Sequence, residues 1–283
     1  MEANKMEKKS VRITKKAVLY LFVLILLVCF VFPFFWMLRT SLMEINQIFQ
    51  LPPVFIPDPL YWQNYPGAFN TFPLLQFIGN SFIISILSVV GSVFTSSLCA
   101  FGFSRIQWKL RNPIFTVVLC SMMLPYAVTI IPTYLGWNAV GGVDTYLPLI
   151  LPYWCGGGAM YIFLLRQFFL SIPKELDESA IVDGAGYFKS FFLVVLPQLK
   201  AITGTAILLN ALYIWNDTFD QMVFLSGAAA KTLPVEIYAL TTAMTAQWNL
   251  VFAAVIISLV PMLILYLLTQ KKMMTSLAGG IKG

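Results

Sequence analysis

Side chains able to do chemistry are scarce in this sequence, and their absences exclude most of it. Of 283 residues only 11% are Asp, Glu, Lys or Arg, and histidine is missing. Without imidazole there is no Ser-His-Asp triad, no Ser-His dyad and no His-based metal site. The phosphate loop G-x-x-x-x-G-K-[ST] is also missing. Its nearest approach, Gly227-Ala-Ala-Ala-Lys231-Thr232, has Ala230 where the loop needs glycine. Any nucleotide that drives this protein must therefore be bound by another chain. Cys29, Cys99, Cys120 and Cys155 lie within apolar runs, as small buried hydrophobes would, and imply no disulfide framework. The polar chemistry that remains gathers at residues 171–201, SIPKELDESAIVDGAGYFKSFFLVVLPQLKA. Its carboxylates, Glu178 and Asp183 among them, can make charge-assisted hydrogen bonds to a basic partner surface.

The spacing within this stretch predicts the elements that carry those groups. Pro173 suits the first turn of a helix, and Glu175, Asp177 and Glu178 place negative charge at its positive dipole end. Gly184 can take the left-handed conformation that closes a helix. Phe188, Phe191, Phe192 and Val195 then recur at i, i+3, i+4 and i+7, the apolar face of a second helix. A helix resting on lipid would carry a basic polar face, and this one is acidic.

The rest of the chain reads as membrane. With 59% hydrophobic residues gathered into long runs, an ordinary soluble domain is excluded. The expectation is an all-α integral membrane protein whose single transmembrane domain, 17–270, holds six helices. The spans fall at about 17–38, 77–104, 112–135, 145–165, 197–217 and 248–270. Residues 1–16 form a basic N-terminus. The run after them is longer than a signal-peptide core and lacks a small-x-small cleavage site, so it is read as a retained span. Loop 39–76 is rich in proline and aromatics, as suits an interface. In span two, Ser85, Ser88, Ser92, Ser96 and Ala100 form a small-residue stripe, read as a packing seam. Pro125 and Pro132 interrupt span three, either as a kink or as a bend lining a path. Gly156-Gly157-Gly158 marks a weak point or close approach in span four. The uncharged residues 201–216 would cover only about 24 Å as helix, so span five must borrow length from its flanks.

Lys and Arg placement sets the orientation. Of the 18 basic residues, 16 fall in segments 1–16, 105–111, 166–200 and 271–282, leaving only Arg39 and Lys231 for the other side. By the positive-inside rule both termini are cytoplasmic, and 171–201 is a cytoplasmic loop between spans four and five. The net charge of +6 then reflects topology rather than nucleic-acid binding. The alternative, a self-sufficient secondary transporter of a small polar solute, would be expected to carry an ionisable residue at mid-membrane. None lies well inside any of the six runs. An intramembrane enzyme likewise lacks histidine and a buried carboxylate pair.

At this point Glu178-Ser179-Ala180, Gly184 and Val194-x-Leu196-Pro197, in that spacing, resemble the EAA-type signature of permease subunits of binding-protein-dependent ABC importers. Ile172-Pro173-x-Glu175-Leu176 and Asp183-Gly184-Ala185 are similar to the carbohydrate-uptake, maltose-type branch. Arg39-Thr-Ser41, Asn80-Ser81, Arg166-Gln-Phe168, Trp215-Asn216-Asp217 and the Gly-Gly-Ile-Lys-Gly tail follow in that family's order. Two positions depart: Ser179 replaces the usual alanine, and Ala201 stands where a second proline commonly follows. The resemblance implies that 171–201 is a coupling loop docking on an ATP-hydrolysing subunit through Glu178, Ser179, Ala180, Asp183, Gly184, Leu196 and Pro197. It implies a non-catalytic chain that binds no cofactor, with ATP and Mg held in partner subunits. The implied partners are a second permease in a heterodimer, two ATPases, an extracytoplasmic solute-binding protein, a sugar and membrane lipid. The implied location is a bacterial or archaeal cytoplasmic membrane. The tail (271–283), with Gly279, Gly280, Lys282 and Gly283, would reach toward the ATPases. Loop 217–247 would face the binding protein, and Asn210, Tyr213, Trp215 and Asn216 would line the sugar's path.

Overall fold

The structure is a computed structural model, and it describes residues 2–172, 175, 184–198, 200–227, 230–243 and 246–280. Every regular element among the described residues is helical. Glu178, Ser179, Ala180 and Asp183, with Lys282 and Gly283, lie outside the described residues.

The chain divides into two compact units. One comprises 1–72 and 240–257, the other 73–239 and 258–283. In the first, helix α1 (Glu2–Ser41) is uniformly apolar past its basic start, and its large side chains from Val18 to Phe35 are all exposed. That is how a lipid-facing helix presents itself. The short helix α2 (Ile45–Ile48) and α3 (Asn64–Thr71) follow. The buried Arg39 donates to the Val54 carbonyl and lies 4.2 Å from the centroid of the Trp36 ring. Asn64 donates to the carbonyls of Ser41 (2.9 Å) and Met43 (2.8 Å) and accepts from Asn249 (2.8 Å). These bonds make the Pro-rich loop an ordered structure.

In the second unit, α4 (Leu74–Ser104) is the helix on which the others pack. Its stripe Ser85, Ser88, Ser92, Ser96 and Ala100 is wholly buried. Ser88 Oγ donates to the Leu149 carbonyl at 2.9 Å and Ser92 Oγ to the Gly157 carbonyl at 2.7 Å. Hydroxyls on small side chains let the backbones meet while satisfying carbonyls freed by a break in the neighbouring span. That break separates α7 (Leu147–Trp154) from α8 (Ala159–Ser171). At Gly157 (φ +70°) an added Cβ would sit 2.0 Å from Ser96 Oγ and 2.3 Å from the Ser92 carbonyl oxygen, so only glycine fits. The triple glycine is thus a close approach.

Span three, expected as one run, consists of α5 (Arg111–Ser121) and α6 (Tyr126–Ala139), set at 97° to one another. Pro125 sits extended at the break (φ −61°, ψ 131°), because its ring and missing N–H cannot continue the α5 ladder. Pro132, by contrast, is accommodated inside α6. By length and composition, Ile13–Ser41, Leu74–Ser104, Leu147–Ser171 and Trp248–Lys271 can each cross a membrane, and the bent pair supplies a fifth candidate.

The second half of 171–201 departs from the expected α-helix. Tyr187–Ser190 (α9) passes into a π-helix at Phe191–Val195 and then into α10 (Leu196–Gln198). Bonds from i to i+5 widen the turn, so positions at i+3 and i+4 no longer share a face. Phe191 is buried while Phe188 (75%) and Phe192 (44%) are exposed, so the three rings do not share one buried face. Helices α11 (Lys200–Asn216), α12 (Phe219–Phe224) and α13 (Leu233–Thr242) follow. The last helix, α14 (Trp248–Gly280), continues ten residues past the expected end of span six and takes in Gly279 and Gly280. All four cysteines are free, but Cys29, Cys120 and Cys155 are exposed and Cys99 is half-buried, so the expectation of buried hydrophobes fails for three of them.

Candidate functional site

Two regions of the second unit hold the candidate residues, one at each end of α4. At the C-terminal end, both flanks of 171–201 are fastened to it. Arg105 donates to the Ile172 carbonyl at 2.9 Å, and Arg166 Nε donates to the Phe103 carbonyl at 3.1 Å. The buried Phe101 ring meets Phe169 edge-on at 6.2 Å and Phe191 at 5.3 Å, in a cluster with Ala100, Leu165 and Ile172. Leu196 packs half-buried against this cluster and Pro197 is exposed. Between the flanks, Gly184 is exposed in the left-handed region at φ +78°, with nothing within 4 Å of an added Cβ. Conformation, not space, requires glycine there. Ile172 on one side and Phe191 on the other are thus fixed on an apolar, hydrogen-bonded base.

Toward the other end of α4 lies a cleft of about 190 Å³, walled by Ile84 of α4, Tyr126 and Thr133 of α6, Pro152 and Tyr153 of α7, Ile214 of α11, and Asp217, Asp220 and Gln221. Tyr126 donates its hydroxyl to Asp220, linking α6 to α12, and Asp217 accepts from the Asp220 N–H at 3.1 Å. Burial raises the Asp220 carboxyl above its ordinary range, and the Tyr126 bond offsets part of that shift. The rim is tied down by Asp144, whose carboxylate accepts from Ser226 N (2.6 Å), Ser226 Oγ (2.6 Å) and Gly227 N (3.0 Å). The Ser226 hydroxyl, then the two backbone N–H groups, hold that carboxyl below its usual pKa. Asn80 donates to the Lys231 carbonyl at 2.8 Å, and Ser81 Oγ accepts from Leu233 N at 2.9 Å.

The four residues expected along a sugar path separate by face. Tyr213 is 60% exposed, and Asn216 is exposed with its amide donating to the Leu212 carbonyl. Trp215 is buried against Phe82 (5.1 Å, edge-on), with Nε1 3.4 Å from Ser258 Oγ. Asn210 is fully buried, and neither atom of its amide has a hydrogen-bond partner among the described residues. Sequence reasoning missed Tyr126, Tyr153 and Asp220 as site residues. The available signals were the tyrosine directly after the breaking Pro125 and the second carboxylate three residues after Asp217. Among the described residues no group of His, Cys, Asp or Glu could hold a metal ion.

An all-helical membrane chain with an exposed Gly184 turn and a polar cleft has the features of a transport subunit. Comparison with known proteins places it: residues 92–272 match the family described as binding-protein-dependent transport system inner membrane component, and the chain belongs to that family. It is 32% identical over 267 residues, 93% of this chain and 88% of the relative, to the probable ABC transporter permease protein YurM of Bacillus subtilis. It is also 32% identical to the sn-glycerol-3-phosphate transport system permease protein UgpE of Yersinia pestis, covering 85% of this chain and 88% of that one. In fold it is similar to a chain of a bacterial ABC transporter involved in the import of the acidic polysaccharide alginate, with TM-score 0.78 over 90% of this chain and 94% of that chain at 22% identity. The chain is accordingly a non-catalytic permease subunit of an ABC importer, in which ATP hydrolysis belongs to a separate subunit.

Proposed function

We propose that this chain forms half of the pathway by which a sugar or oligosaccharide enters a bacterial or archaeal cell. It would cross the cytoplasmic membrane six times with both termini inside, paired with a second permease and served by two ATPases and an extracytoplasmic binding protein. ATP and Mg are held by the ATPases. The observation that carries the reading is the exposed, left-handed Gly184, with flanking residues on both sides fixed to α4 through Arg105 and Phe101. A docking element must be held rigidly if the closing of two ATPases is to move the spans and switch the path between inward- and outward-facing states. Glu178, Ser179, Ala180, Asp183 and Gly184 are the proposed contacts, Leu196-Pro197 the link into span five, and Gly279, Gly280, Lys282 and Gly283 a second contact. Tyr213 and Asn216 supply the exposed polar face of the path, with Asn210 and Trp215 behind them.

Reconstitution tests this. In proteoliposomes, ATP-dependent uptake is expected only when the second permease, the ATPases and the binding protein are all present. Uptake by this chain alone would overturn the proposal.

A further inference from the structure

We infer that the cleft between α6, α7 and α12 is a subsite for one polyhydroxylated ring, and that it selects against anionic solutes. The inference rests on the sugar-permease reading above and names the class of solute. Volume sets the first limit. About 190 Å³ is the room taken by roughly six water molecules, so the cleft receives one ring of a glycan at a time.

Lining chemistry sets the second. Two tyrosine rings, Tyr126 and Tyr153, offer apolar faces for the C–H groups of a sugar. Asp217 and Asp220 offer acceptors for its hydroxyls; the Thr133 hydroxyl already donates to the Thr129 carbonyl, which leaves its oxygen as a further acceptor. No lysine or arginine is among the residues lining the cleft. A phosphate, sulfonate or uronate brought here would meet two carboxylates with no counter-charge, in surroundings that screen poorly. A neutral polyol meets no such penalty and gains charge-assisted hydrogen bonds.

An independent observation lies on the same helix. Asn210 precedes Ile214 by four residues and Asp217 by seven, so on α11 it continues the face that walls the cleft. It is fully buried, and its amide oxygen and nitrogen are both unsatisfied among the described residues. A buried amide in that condition costs stability unless something pairs with it during the working cycle. Asn210 lies behind the cleft lining in this conformation, and a hydroxyl-bearing solute that reaches it when the spans switch supplies both a donor and an acceptor.

The test uses the permease pair with its ATPases in nanodiscs, with the binding protein omitted. Saturation-transfer NMR measures binding of three ring probes: methyl β-glucoside (neutral), glucuronate (anionic) and glucosamine (cationic). Methyl glucoside should bind about tenfold or more tighter than glucuronate. In Asp217→Asn, which leaves the Tyr126–Asp220 bond in place, the preference should narrow to roughly threefold. In Asp217→Asn/Asp220→Asn it should vanish. Equal or tighter glucuronate binding, an unchanged ratio in the double variant, or glucosamine bound more weakly than methyl glucoside would overturn the inference. ATPase activity on adding back the binding protein is measured on the same sample. If it is stimulated while the charge preference is absent, the subsite fails and the permease reading stands. If this chain does not co-purify with the ATPases, the reading beneath it fails too.

Discussion

The two ends of α4 are built on opposite principles. Around Phe101 the packing is aromatic and dry, with side-chain bonds running from Arg105 and Arg166 to backbone carbonyls. Around Ile84 the helices leave a cleft, lined by tyrosines and carboxylates that bond to one another across elements. A tightly packed base transmits movement because close-packed interiors do not deform continuously. A polar cleft can hold a solute because its carboxylate oxygens keep lone pairs beyond the bonds they already accept. On the proposed reading one end receives mechanical work and the other meets the substrate, and α4 joins them.

Removing the dry base should have the largest effect. Phe101→Ala strips the contacts to Phe169 and Phe191 together, and a loss of about 3–5 kcal/mol is expected. It would be seen as a large drop in melting temperature of the purified chain. Gly184→Val should spare folding and insertion but strain a residue held at φ +78°, by about 1–2 kcal/mol locally. ATP hydrolysis should then continue without matching uptake, and normal coupling in this variant would detach Gly184 from the docking role. At the cleft, Tyr126→Phe removes a hydrogen bond to a carboxylate, worth about 1.5–3 kcal/mol. A several-fold rise in the uptake KM is expected, with ATPase coupling retained.

The smallest effect should come from the rim. Asp144→Ala frees Ser226 and Gly227, and faster amide exchange at those two residues would report it. Because the folded pKa of Asp144 lies below the ordinary 3.8, the anchoring is complete above that value. It should be lost only as pH falls through the depressed folded pKa.

How much of this was legible in the sequence follows from how local each feature is. The serine stripe, the break at Pro125, the close approach at Gly157 and the turn at Gly184 are consequences of single residue types acting on their own backbone. Their signals survived into the structure. The π-helical turn at Phe191–Val195 was not legible, because the phenylalanine spacing fits an α-helix equally well and only packing on Phe101 selects which ring is buried. The cleft was hidden for a different reason. Tyr126, Tyr153 and Asp220 come from three helices, and only the 97° bend between α5 and α6 and the break in α7–α8 bring them together. Asn210 was singled out as a path residue, but its unsatisfied burial could be known only from the packed helices.

The central claim is that the Gly184 segment is where the ATPase docks. It is tested most directly by Tyr187→Cys, at an exposed position three residues further on, in a chain whose four native cysteines are replaced by serine. In the assembled importer, a short bifunctional thiol reagent should cross-link this position to an ATPase carrying cysteines in its membrane-facing groove. Tyr126→Cys in the same background should give no such product. Cross-linking at Tyr126→Cys with none at Tyr187→Cys would contradict the account.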